Sequence, residues 1–156
     1  MTLDQLETPL LLLDRVRLER NLARMRDKLA PHGVALRPHV KTHAGGSYDC
    51  KSVDEIRGYA RREREAVVQC ASELKLAGLD CDVVSVGSSP TATFGQSFDG
   101  VTEVRAGVYM MFDLFMAGIQ VCAIDDIALS VLCTVIGHQP EKGWICLLYT
   151  SDAADE

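Results

Sequence analysis

Apolar positions along the chain follow two rhythms, and each predicts a different kind of element. Residues 8–14, TPLLLLD, form an unbroken apolar run that predicts a strand. Asp14, a helix-capping type, closes it, and Leu18, Leu22, Met25 and Leu29 then recur at helical spacing until Pro31 and Gly33 break the pattern. The short run VALRPHV, residues 34–40, predicts a second strand. Ser52 and Glu55 stand at capping-box spacing and open a long helix that Gly78 stops. The charge run from Arg61 to Glu65 reads as the solvated face of that helix. CDVVSVG, residues 81–87, predicts a strand that breaks into the turn GSSPTA, and VTEVRAGVYMMFD, residues 101–113, predicts another that bends at Gly107. A last β-rich stretch, ALSVLCTVIGHQPEKGW, carries a hairpin turn across residues 139–143. The alternation implies an α/β protein with a parallel sheet, followed by the start of an all-β region. Internal repeats and low-complexity linkers are absent from the sequence.

Composition changes this picture little but removes several function classes. The 156 residues are 47% hydrophobic and 24% charged, ordinary for a globular domain with one core. A formal net charge of -6 provides no basic stripe for phosphate backbones, so nucleic acid is not an expected partner. The apolar runs are too short to cross a bilayer, so no membrane span is expected. Six cysteines occur singly, with no C-x-x-C pair and no secretory leader, and read as small buried hydrophobes in a reducing cytoplasm.

The candidate chemistry lies in loops after strands, where α/β enzymes keep it. RPHVKTH, residues 37–43, sets Lys41 between His39 and His43 at a strand end, with Arg37 beside them. Most lysines only solvate a surface; a crowded or desolvated one can act as a base or a Schiff-base nucleophile. Gly87, Ser88, Ser89, Pro90 and Thr91 offer backbone N–H groups and hydroxyls suited to an anion, although such a loop is also an ordinary turn. At Gly107 and Tyr109 a glycine admits close backbone approach and a phenol can donate to phosphate, although Tyr109 also suits a core. A lysine together with a phosphate site is what pyridoxal 5'-phosphate requires.

TPLLLLDRVRLERNLARM and VALRPHVKTH resemble the amino-terminal signature of the D-serine dehydratase and D-threonine aldolase family, alanine-racemase-like, fold-type III pyridoxal-phosphate enzymes. VVSVGSSPTAT and TEVRAGVYMMFDLFMAGI are similar to that family's late-barrel cofactor segments, so the resemblance runs from about Glu7 to Trp144. It implies a (β/α)8 TIM barrel with a C-terminal β-domain. It implies Lys41 as the residue joined to the cofactor by a Schiff base, Gly87, Ser88, Ser89, Gly107 and Tyr109 around the phosphate, and Arg37 and His39 lining the site. A D-amino acid would be the substrate, a divalent metal (Zn or Mn) would polarise its β-hydroxyl, and the outcome would be loss of that hydroxyl or Cα–Cβ cleavage. A homodimeric parent is left open.

Two departures qualify the resemblance. Family members carry several strands and helices between KTH and the region resembling HAGGSYDC, whereas here His43 runs straight into Ala44. A (β/α)8 barrel needs about 250 residues, so the expectation is an incomplete barrel whose remaining strands do not close ranks to bring Lys41 to the Gly87 loop. The tail CLLYTSDAADE resembles a translated sequencing adapter and no part of the family, and the family's metal-binding His and Cys have no counterpart. The expected division is 1–43, amino-terminal strand, helix and cofactor-lysine strand; 44–124, late barrel segments; 125–145, start of the β-domain; and 146–156, a non-native tail. On this reading the chain is an inactive, loosely packed or associating fragment of a lyase, with TPLLLL and ALSVLCTVI as its aggregation-prone edges. A non-catalytic pyridoxal-phosphate carrier and an amino-acid racemase are the alternatives.

Overall fold

The computed structural model describes residues 2–38 and 49–148, which fall into two units: residues 15–128, and the flanking segments 1–14 with 129–156. In the larger unit, α1 (Arg15–Leu29) leads into β2 (Ala35–Pro38), and α2 (Val53–Leu76) leads into β3 (Ser85–Val86), α3 (Ser89–Phe94), β4 (Glu103–Ala106) and α4 (Leu114–Gly118). The flanking unit holds β1 (Leu10–Leu13), β5 (Leu129–Leu132), β6 (Thr134–Gln139) and β7 (Trp144–Leu148). This is a mixed α/β architecture.

The three strands of the larger unit form one parallel sheet in the order β2-β4-β3. Arg37 stands opposite Arg105, and Ser85 opposite Glu103. Because strand side chains alternate between faces, Val86, Val104 and Ala106 meet the core while Ser85, Glu103 and Arg105 share the other face. The expectation that the remaining strands fail to close ranks is therefore overturned for β2, β4 and β3. Their carboxyl ends are neighbours because β4 supplies a partner edge to each side. Lys41, His39 and His43 lie outside the described residues.

The helices depart from the sequence pattern in instructive ways. On α1 the buried stripe is Asn21, Met25 and Leu29, whereas Leu22 is exposed. The stripe rotates toward Asn21 because its amide donates to the Asp126 carbonyl at 2.7 Å and the Met110 carbonyl at 3.2 Å. Asp126 itself accepts from Arg20 at 2.9 Å, Arg24 at 2.8 Å and the Ala123 N–H at 3.0 Å. At α2, Ser52 is the N-cap and accepts from the Glu55 N–H, but the Glu55 carboxylate reaches the Lys51 N–H rather than closing the box on Ser52. GSSPTA, expected as a turn, contains the start of α3: Ser88 caps it, and Pro90 fits the first helical turn, where a missing N–H costs nothing. The strand at 103–106 ends at Gly107, as its bend predicts, and gives way to a 3-10 turn over Val108–Met110. Among the cysteines only Cys50 is buried; Cys70 and Cys146 are exposed, so the reading of all six as buried hydrophobes fails.

In the flanking unit, β1 pairs antiparallel with β5, and β6 with β7. Pro140–Lys142 and the left-handed Gly143 make the expected turn between β6 and β7. Cys146–Leu148, the first residues of the presumed tail, belong to β7 and pair with the 134–137 segment. TPLLLL and ALSVLC thus satisfy part of their backbone by pairing with each other. Their side chains stay in water all the same: Leu11, Leu13, Val131, Ile136, Trp144 and Ile145 are all more than half exposed. No helix among the described residues is long and apolar enough to cross a membrane.

Two predictions follow from these contrasts. Two-stranded sheets with exposed apolar side chains are marginal on their own and offer open edges. Amide exchange should be faster at Val131 and Leu147 than at Val86 and Val104, and Leu11→Lys should reduce the concentration-dependent mass seen in sedimentation; equal protection, or unchanged association, would contradict this. The second concerns Asp126. Burial alone would raise its carboxyl, but the Ala123 N–H, the Arg24 hydrogen bond and the charges of Arg24 and Arg20 outweigh that and hold it below the ordinary carboxylate value. A carboxyl lowered on folding stabilises above its unfolded pKa and loses that contribution as pH falls through the folded one. Asp126→Asn should therefore cost about 2 kcal/mol at pH 7 in denaturant melts, the loss of charge-assisted bonds, and progressively less as the pH drops into the acid range.

Candidate functional site

The carboxyl edge of the parallel sheet is built by three short exits. Chain leaves β2 at Pro38, β4 at Ala106 and β3 at Val86, and Pro38 is in register with Ala106. RPHVKTH, Gly87–Ser89 and Gly107–Tyr109 are the continuations of these strands, so three loops singled out from the sequence begin at one sheet edge.

Two of them meet directly. The Tyr109 N–H donates to the Ser89 hydroxyl at 2.9 Å in a buried setting. Ser88 is committed to its own helix, accepting from the Thr91 N–H at 3.2 Å and sharing a hydrogen bond with the Thr91 hydroxyl at 2.9 Å. Tyr109 is 1% exposed, and burial pushes its phenol above the ordinary value, which keeps it a neutral donor. Gly107 caps the 3-10 turn that carries it.

Gly87 has two constraints that the sequence did not reveal. A Cβ there would collide with the Arg105 carbonyl oxygen, with the carbonyl carbon 2.7 Å and the Cα 2.8 Å away. The steric demand for glycine thus comes from the neighbouring strand, independently of any ligand. Its N–H donates to the Glu63 carboxylate of α2 at 3.1 Å. Glu63 belongs to the charge run read as a solvated face, and only its half-buried position beside β3 sets it apart. A single sequence offered no signal for it, since periodicity cannot say which acid of a run turns inward.

Arg37 plays a different part from the one its motif suggests. Its guanidinium lies 2.6 Å from the Glu103 carboxylate, which is 8% exposed. The other Glu103 oxygen accepts from the Ser85 hydroxyl at 2.9 Å, and the same hydroxyl accepts from Arg105 Nε at 2.8 Å. Arg37, Glu103, Ser85 and Arg105 form a polar ladder across β2, β4 and β3 and satisfy the one buried carboxylate of the sheet. Among the described residues, no group of three or more His, Cys, Asp or Glu could hold a metal ion.

The Gly87 geometry makes a direct test possible. Gly87→Val should destabilise the protein by about 3 kcal/mol in chemical denaturation with no cofactor present, because β3 and β4 must separate to admit the side chain. A variant as stable as the parent chain would refute the strand-contact origin of this glycine.

No family model matches the chain. In sequence it is 59% identical over 105 residues to D-threo-3-hydroxyaspartate dehydratase of Delftia sp. (strain HT23), covering 67% of this chain and 28% of that protein. It is 30% identical over 107 residues to D-serine dehydratase of Dictyostelium discoideum, covering 66% and 27%. The matches thus span less than a third of these relatives' length. Among solved structures, D-threo-3-hydroxyaspartate dehydratase from Delftia sp. HT23 superposes with a TM-score of 0.84 at 28% identity, covering 92% of this chain and 72% of that one. A variant of that dehydratase, solved in a metal-free form, gives 0.85 at 29% identity over 93% and 72%. An alanine-racemase-like protein from Idiomarina loihiensis gives 0.60 at 43% identity over 81% and 33%. The homologues of this chain are therefore D-threo-3-hydroxyaspartate dehydratase and D-serine dehydratase, with alanine-racemase-like proteins among its structural neighbours.

Proposed function

We propose that the chain is an internally deleted piece of a pyridoxal-phosphate-dependent lyase that eliminates the β-hydroxyl of a D-3-hydroxy-amino acid, and that the 156-residue polypeptide is itself inactive. The observation that carries the reading is the single sheet edge from which RPHVKTH, Gly87–Ser89 and Gly107–Tyr109 all depart, in a chain 59% identical over 105 residues to a dehydratase of such a substrate. The internal deletion draws support from the structural match. If 105 residues are 28% of the Delftia protein, then the 72% of it spanned by the superposition holds far more residues than the 92% of this chain laid upon it. This difference supports the reading that the relative has intervening segments with no counterpart here, as an incomplete barrel would require.

The residues present fit the cofactor's phosphate in kind. The Glu63 carboxylate stands in for an anionic oxygen at the Gly87 N–H, and the Ser89 hydroxyl, which accepts from Tyr109, keeps its own proton for donation. When bound, the cofactor would supply an electron sink for carbanion character at the substrate Cα. Lys41 would be its covalent anchor and, once displaced, the base at Cα; Ser88, Ser89, Gly107 and Tyr109 would orient it, with His39 lining the site. Arg37 would act through Glu103, holding the strand that aims Lys41. In this chain Glu63 competes with phosphate for the Gly87 N–H, a further reason for inactivity. The donors present do not supply a metal site, so no step here is assigned to one.

The test uses both forms of the protein. With the missing barrel segments restored, borohydride reduction should fix pyridoxal phosphate on a peptide containing Lys41, and Lys41→Ala should abolish the cofactor's absorbance band. Labelling at Lys51 or Lys75 would sink the assignment. The 156-residue chain should turn over neither D-serine nor D-threo-3-hydroxyaspartate, and measurable ammonia release would overturn its inactivity.

A further inference from the structure

α1, Thr93 of α3 and the 108–121 segment line an open cavity of about 230 Å³. Its buried lining is Met25, Tyr109, Phe112 and Val121, and toward solvent it is bordered by the cationic side chains of Arg24 and Lys28. Two features of the lining set it apart from a simple packing defect.

The first is charge. Lys28 is half-buried on the cavity wall, and burial lowers its ammonium pKa. Its one hydrogen bond among the described residues goes to a neutral acceptor, the Gly95 carbonyl at 3.2 Å. An ammonium taken partly out of water without a counter-charge is costly, and an anion in the cavity would relieve that cost. Arg24 gives one nitrogen to Asp126 at 2.8 Å and has further donors in its planar fork.

The second is backbone strain. Phe112 sits at φ 52, in the left-handed region that a bulky side chain seldom occupies, and its ring belongs to the cavity lining. Such conformations persist where surrounding structure imposes them, and they gather at ligand sites.

We propose that this cavity binds a small organic monocarboxylate with an apolar body, its carboxylate held by Lys28 with Arg24 in support and its body against Met25, Phe112 and Val121. Size and lining exclude the alternatives. The volume equals that of about eight water molecules at ~30 Å³ each, and it falls below the ~300 Å³ at which drug-sized ligand sites begin. A bulky phosphorylated cofactor would extend well beyond it. A bare inorganic anion would leave the apolar walls uncovered, and a neutral ligand would leave Lys28 uncompensated. The lining shares Tyr109 with the candidate cofactor residues but includes none of Gly87, Ser88, Ser89 and Gly107, and the proposal does not depend on the lyase reading.

Calorimetric titration of the full chain with benzoate, benzyl alcohol and inorganic phosphate decides the matter. Benzoate should bind saturably at one site, with benzyl alcohol and phosphate each at least about tenfold weaker, as loss of a charge-assisted contact or of apolar burial implies. Lys28→Met should weaken benzoate by a similar factor and leave benzyl alcohol unchanged, while Lys28→Arg should keep most of the affinity. Lys41→Ala should bind benzoate as the parent chain does, which separates this site from any cofactor site. Should Lys28→Met fail to fold, the ligand series on the parent chain is itself decisive. Absence of saturable benzoate binding, equal affinity for benzyl alcohol, indifference to Lys28→Met, or loss on Lys41→Ala would each overturn the proposal.

Discussion

The larger unit depends on a four-residue strand paired along both of its edges. β4, Glu103–Ala106, hydrogen-bonds β2 on one side and β3 on the other, and among the described residues those two strands have no sheet contact except through it. Its alternation meets both demands. Val104 and Ala106 are fully buried in the core, while Glu103 and Arg105 carry the polar ladder that includes Arg37 and Ser85. Parallel sheets are covered on their faces, and β4 is the central strand, paired along both edges. The contact of Gly87 with the Arg105 backbone belongs to the same constraint, since any side chain there would push β3 from its partner.

The two units rest on different physics. In residues 15–128 a connected apolar core runs from Met25 and Leu29 of α1 through Ile56 of α2 to Val104, Met116 and Val121, and it supplies the burial that opposes chain entropy. Residues 2–14 and 129–148 add no fully buried apolar side chain. Their strands hold together through ladder hydrogen bonds, each worth little net in water, and through the Thr8–Thr134 hydroxyl contact. Such strands behave as elements awaiting cover.

What the sequence made legible follows the same division. Elements set by local chemistry were readable: the apolar run of β1, the Ser52 cap of α2, the bend at Gly107 and the turn closed by Gly143 each have a short-range signature. Features decided by long-range packing were not. Asn21 is a poor core residue by type, and only the carbonyls of Met110 and Asp126, some ninety and a hundred positions away, make it one. Direct pairing of β2 with β4 could not be read from the sequence, because nothing local in VALRPHV or VTEVRAG says which strand lies beside which. GSSPT is ambiguous in principle, because serine followed by proline begins turns and helices alike, and only the packing of α3 against its neighbours decides.

Charge accounting ties the two anion-seeking features of the molecule together and explains why they differ. At the Gly87 loop the backbone N–H already faces an acid of the chain's own, Glu63, so a bound phosphate there must displace a carboxylate tethered on α2. At the α1 cavity the situation is reversed. Asp126, which pairs with Arg24 of that wall, is engaged by Arg20, Arg24 and the Ala123 N–H, and among the described residues Lys28 has a carbonyl alone. A tethered anion has a high effective concentration, and a free ligand must outbid it. An uncompensated ammonium imposes no such competition. If both places take an anion as proposed, the cavity beside Lys28 does so with less competition than the Gly87 loop.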